Sequence, residues 1–110
     1  MATYEIGILP SVADQRLKVV LDGETFILRA RWNASAGQWM LDVEDAAGVI
    51  LAGIPMTLAM PYLRRYADRR LPRGELLIID TSAQDLEAGL DDLGARVKLL
   101  YIEAADLPVR

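Results

Sequence analysis

The sequence predicts an all-β fold, a small antiparallel β-sandwich or partly closed barrel of six to seven strands. Three observations carry that expectation. Apolar and polar residues alternate with period two through residues 15–45. Turn signals recur about every 8–12 residues, as in small sandwiches and barrels. Trp32 and Trp39 flank a short polar loop, Asn33-Ala-Ser-Ala-Gly37, which makes them cross-strand neighbours on one face.

Length and composition set the frame. A chain of 110 residues, 53 % hydrophobic, is expected to form a single β domain over 1–110. At that size roughly 60–70 % of the unfolded surface is hidden, enough for one core without staples. The absence of cysteine removes any disulfide framework or thiolate metal site. The opening Met-Ala-Thr-Tyr-Glu has neither a basic nor an apolar leader region. No run approaches the ~18 apolar residues that span a membrane. The expectation is a soluble chain, unexported by that route and without a membrane partner.

The elements follow in order. Tyr4–Leu9 alternates and stops at Pro10, reading as a first, edge strand. Gln15–Leu21 is the second. Asp22-Gly23 supplies the pair that tolerates positive φ at a type I′ turn, and Glu24–Asn33 is the third strand. A two-residue turn fixes the register: Leu21 faces Glu24, Val19 faces Phe26, and Leu17 faces Leu28. One face therefore carries Leu17, Val19, Phe26, Leu28 and Trp32 as core. The next hairpin cannot slip by one residue without turning Trp39, Leu41 and Val43 into water. Keeping them inside pairs Trp32 with Trp39 and Ala30 with Leu41. It also sets Asp42 opposite Arg29, and Glu44 within diagonal reach of Arg29.

Asp45-Ala-Ala-Gly48 is a turn, and Val49–Ala52 follows as a continuous apolar strand, covered on both faces or meeting a partner. Gly53-Ile-Pro-Met56 should break it, since proline cannot donate to a ladder. Pro61 can open a short helix over 61–71, with Leu63, Tyr66, Ala67 and Leu71 as its apolar stripe and Pro72 as the stop. Glu75–Asp80 is a strand. Residues 81–95 make an acidic connection, with a helical turn around Leu86–Leu93. Arg96–Glu103 is the last strand.

Net charge is −4, which argues against generic nucleic-acid binding. Its distribution is uneven. Arg64, Arg65, Arg69, Arg70 and Arg73 face only Asp68 within 64–74, whereas residues 75–95 carry Glu75, Asp80, Asp85, Glu87, Asp91 and Asp92 with no cation. These are solvated loops, or a head-to-tail contact in which one subunit's basic block meets its neighbour's acidic one.

Catalytic chemistry finds little footing. Ser11, Ser35 and Ser82 lie in loops, and the chain has no histidine to activate them. Lys18 and Lys98 fall within strands away from any serine pattern. Asp80, Asp85, Asp91 and Asp92 could hold a hard cation, but they lack EF-hand spacing and read first as solvated turn acids. The glycines form no phosphate cradle. We therefore expect no enzyme, no catalytic residue, no metal site and no cofactor. The two tryptophans could stack bases or sugars, but their parity with Leu28, Leu41 and Val43 assigns them to the core. Contact candidates are Tyr62 and Tyr66 within the arginine block, the apolar Val49 and Leu51, and the acids Asp85, Glu87, Asp91 and Asp92.

Taken together, the series resembles the baseplate plug family of contractile-tailed phages and prophages, first described for a cyanophage baseplate. The shared features begin with Tyr4-x-Ile6, Gln15, Leu21-Asp-Gly23, Leu28 and Trp32-Asn33. They continue with Gly37-x-Trp39-x-Leu-Asp42, Gly48 and Gly53-Ile-Pro-Met56. Leu63, Tyr66, Gly74, Asp92-Leu-Gly94, Leu99 and Tyr101 complete them. The arginine-rich 64–73 departs from the pattern, so any family contact surface in this segment transfers poorly. The resemblance implies a non-enzymatic virion component at the tail tip. It would pack against hub, spike and tail-tube proteins as several copies and help close the tube, after residence in the host cytoplasm during assembly. The competing reading is a stand-alone small β-barrel binding module for a peptide, ligand or nucleic acid.

Overall fold

The computed structural model describes residues 3–58, 63, 70–82 and 87–104, with the backbone alone at Tyr4. Seven strands form: β1 (Thr3–Ile6), β2 (Asp14–Leu21), β3 (Glu24–Asn33), β4 (Gln38–Asp45), β5 (Gly48–Pro55), β6 (Glu75–Asp80) and β7 (Val97–Ile102). They make two antiparallel sheets, one in the order β2-β3-β4-β5 and the other β1-β7-β6. The sheets are not closed into a barrel; the arrangement is a sandwich.

The central register is the one the hairpin chemistry dictates. Asp22 and Gly23 hold φ of 51° and 80°, and Leu21 pairs with Glu24, Val19 with Phe26 and Leu17 with Leu28. Across the next hairpin Trp32 pairs with Trp39, Ala30 with Leu41 and Arg29 with Asp42. The two indoles meet edge-on, centroids 5.7 Å apart and planes at 63°. Phe26, Leu28, Trp39, Leu41 and Val43 are buried, while Leu17, Val19 and Trp32 pack partly covered against them. Ile6, Leu76, Ile78, Val97, Leu99 and Tyr101 of the other sheet complete the same core. Each such large side chain contributes roughly 1.5–3 kcal/mol by leaving water.

Two strands differ from expectation by more than a residue at an end. β1 ends at Ile6 rather than Leu9, because the chain turns there, with the Ile8 amide donating to the Ile6 carbonyl at 2.8 Å. The buried Gln15 side chain then serves Leu9 as a neighbouring strand would. Its oxygen accepts the Leu9 amide at 2.8 Å, and its nitrogen donates to the Leu9 carbonyl at 2.8 Å and that of Val12 at 3.2 Å.

β5 runs on through Gly53 to Pro55 instead of breaking. It lies at the sheet edge, where a proline costs little, and it carries two irregularities against β4. Gly53 takes φ of +72° there, and its amide donates to the Asp42 carboxylate at 2.8 Å. Val49–Ala52 is consequently covered on one face only: Ile50 is buried, Leu51 half-buried, Val49 and Ala52 exposed.

The helix expected over 61–71 falls almost wholly outside the described residues; Leu63 and Leu71, from its apolar stripe, are buried. Leu86 is also undescribed. Over 87–95 the chain makes turns rather than helix, the Asp92 amide donating to the Gly89 carbonyl at 3.2 Å.

Two side chains tie the sheets together. The Trp39 indole N–H donates to the Gly89 carbonyl at 3.0 Å, pinning the acidic connection to β4. The buried Tyr101 hydroxyl donates to the Asp22 carboxylate and accepts the Gly74 amide at 2.9 Å. Asp22 also accepts the Ala104 amide at 3.1 Å. The hairpin turn of one sheet thus caps one end of the other, where β6 begins and β7 ends.

Candidate interaction surface

The outer face of the four-stranded sheet is cationic on β2 and β3 and acidic on β4, and its arginines are paired within the face. The pairs run diagonally, as strand twist favours. Arg29 was expected to serve Asp42 and Glu44 but instead bonds Asp14, at 2.8 and 2.6 Å. Asp42 takes Arg31 at 2.8 Å, and Glu44 lies 3.7 Å from Arg16. The Arg29 guanidinium holds the Asp14 carboxyl below its ordinary range, and Asp14 in turn raises Arg29. Lys18 alone among these face cations has no ion pair. Beside it is a hollow of about 370 Å³ lined by Lys18, Thr25, Ile27, Asp45 and Ala46.

The acidic connection is likewise wired inward. Arg96 places one guanidinium nitrogen 2.9 Å from Asp80 and the other 3.2 Å from Asp92, and donates to the Glu87 carbonyl at 2.8 Å. Asp80 also accepts the Ser82 amide and hydroxyl, at 2.9 and 2.6 Å. Glu87 accepts the Leu58 amide at 3.1 Å, Asp92 the Gly89 amide at 2.8 Å, and Asp91 the Ser11 hydroxyl at 2.6 Å. An arginine fills the role a cation would take, and among the described residues no acidic cluster could hold a metal. A smaller hollow of about 250 Å³ lies between the Ala36–Gln38 turn, Met56–Thr57 and Glu87.

The contact candidates are unevenly placed. Val49, Arg70, Arg73, Glu87 and Asp91 are exposed, and Leu51 and Asp92 are half-buried. Tyr62, Arg64, Arg65, Tyr66, Arg69 and Asp85 lie outside the described residues. Glu87, Asp91 and Asp92 come together on one connection, whose lip includes Ser11. Sequence reasoning missed Arg96, Gln15 and Asp22, which organise these loops. Each carried only a positional hint, Gln15 and Arg96 at the mouths of strand patterns and Asp22 in a turn.

The described residues thus form a two-sheet scaffold with inward-tied loops and few large apolar side chains exposed. The chain belongs to the family described as cyanophage baseplate Pam3 plug gp18, whose model matches residues 3–104. This is a phage tail baseplate family of plug proteins. No curated protein matches the chain.

Proposed function

We propose that this chain is a non-enzymatic structural component of a phage or prophage tail baseplate. It packs in several copies against hub, spike and tail-tube proteins and helps close the tube. The family match over residues 3–104 carries this reading, because it spans nearly the whole chain. The whole chain acts as one β domain, assembled in the host cytoplasm before it joins the tail. Its contacts are the basic residues Arg70 and Arg73 with their undescribed neighbours, Val49 on the β5 edge, and the exposed acids Glu87 and Asp91. The inward bonding of the acidic connection supports a stiff part: a plug must keep its shape without its partners.

Deleting the gene from a phage that carries it tests the reading. Tails lacking the protein should show an open distal tube and lose DNA prematurely, with complementation restoring both. Sealed, complete baseplates from the deletion strain would contradict it.

A further inference from the structure

Five large apolar side chains stand exposed among the described residues: Leu9, Val12, Val20, Val49 and Ile79. Four of them fall into two patches. Leu9, 60 % exposed, and Val12, 37 % exposed, form an apolar knob on the loop before β2. Gln15 fixes that loop through its three bonds, and Ser11, between the two apolar residues, bonds Asp91, which puts an exposed carboxylate at the knob's base.

Val20, 61 % exposed, and Val49, 55 % exposed, stand on the same outer face as the hollow without lining it. Val20 pairs with the lining residue Thr25. Val49 shares a row with Lys18 and Ile27, through the pairings Lys18–Ile27, Ile27–Glu44 and Glu44–Val49. The hollow is therefore a socket of mixed lining: Ile27 and Ala46 are apolar, Asp45 accepts the Ala47 amide, and Lys18 is the unpaired cation of its face.

Knob and socket match in chemistry, an apolar projection beside a carboxylate against a partly apolar hollow whose lysine has no ion pair. They sit at opposite ends of β2. Four to six residues separate Asp14 from Lys18 and Val20, about 13–20 Å at ~3.3 Å per residue. We propose that a second copy of this chain occupies the socket, its Leu9–Val12 knob seating between Val20 and Val49 and its Asp91 meeting Lys18. Two different surfaces then meet, so the contact is heterologous and propagates head-to-tail into a ring or filament. The inference does not rest on the baseplate reading, since the purified chain would associate without phage partners.

Sedimentation velocity of the full chain over a concentration series tests it. Wild type should associate, and more weakly as salt rises. Lys18→Glu or Asp91→Lys alone should weaken association about tenfold, because each sets like charges against each other. Mixing the two variants, or combining both changes in one chain, should restore it. Because Asp91→Lys also removes the Ser11 bond, Leu9→Ser serves as a second knob variant and should weaken association while leaving the thermal midpoint unchanged. A monomeric wild type at millimolar concentration, or single charge variants that associate as wild type, would overturn the proposal. Either result would leave the deletion phenotype to decide the baseplate role separately.

Discussion

At the scale of single residues, the alternation that placed Trp39 in the core could not reveal what its ring nitrogen does. The indole reaches Gly89, fifty positions on, and such pairings leave no local pattern. Gln15 and Arg96 were opaque for the same reason: a long polar side chain reads as surface until its partners are known. Gly74 shows the converse. A methyl group there would lie 2.1 Å from the Ile102 carbonyl oxygen and 2.6 Å from the Tyr101 ring. Gly74→Ala should therefore destabilise by at least ~1–3 kcal/mol in chemical denaturation, as overpacking against backbone does. Asp14 carries a pH signature. Its folded pKa is depressed by Arg29, so its contribution is present above the ordinary aspartate value of about 3.9 and is lost as pH falls through the lowered folded value. Carboxyl NMR titration should place Asp14 below the ordinary range, and Arg29→Gln should return it toward that range.

At the scale of elements, β2, β3 and β4 were legible down to register, because a buried face fixes a period-two pattern and a two-residue turn fixes its phase. β5 was legible only to Ala52. Its continuation depends on a bulge, and the bulge depends on Asp42, which sits on another strand and accepts both Gly53 and Arg31. Nothing in Gly53-Ile-Pro55 announces that support. Asp42 is 5 % exposed, and Asp42→Ala leaves the partly exposed Arg31 guanidinium and the bulge amide without their acceptor. A loss of about 1–3 kcal/mol is expected by denaturant unfolding, the cost of leaving hydrogen-bond donors without their acceptor. Asp42→Asn should lose less, since the amide oxygen still accepts. Equal losses from the two variants would place the role of Asp42 in charge alone.

At the scale of the whole molecule, fold class and family were readable because residues along the entire chain agree on them, from Ile6 to Tyr101. The contact surface was not, because the exposed points Leu9, Val12, Val20 and Lys18 matter only through their arrangement in space. The basic block supplies a further prediction. Reversing Arg69, Arg70 and Arg73 to glutamate should abolish incorporation into tails, assayed by mass spectrometry of purified particles, while the isolated protein keeps its β-type far-ultraviolet spectrum. The account as a whole holds that this pleated scaffold acts by position, inside an assembly. A cryo-electron microscopy reconstruction of the baseplate tests that most directly. The account predicts density for several copies of the two-sheet fold at the distal end of the tube, in contact with hub or spike. A complete, sealed baseplate with no density for this chain would contradict it.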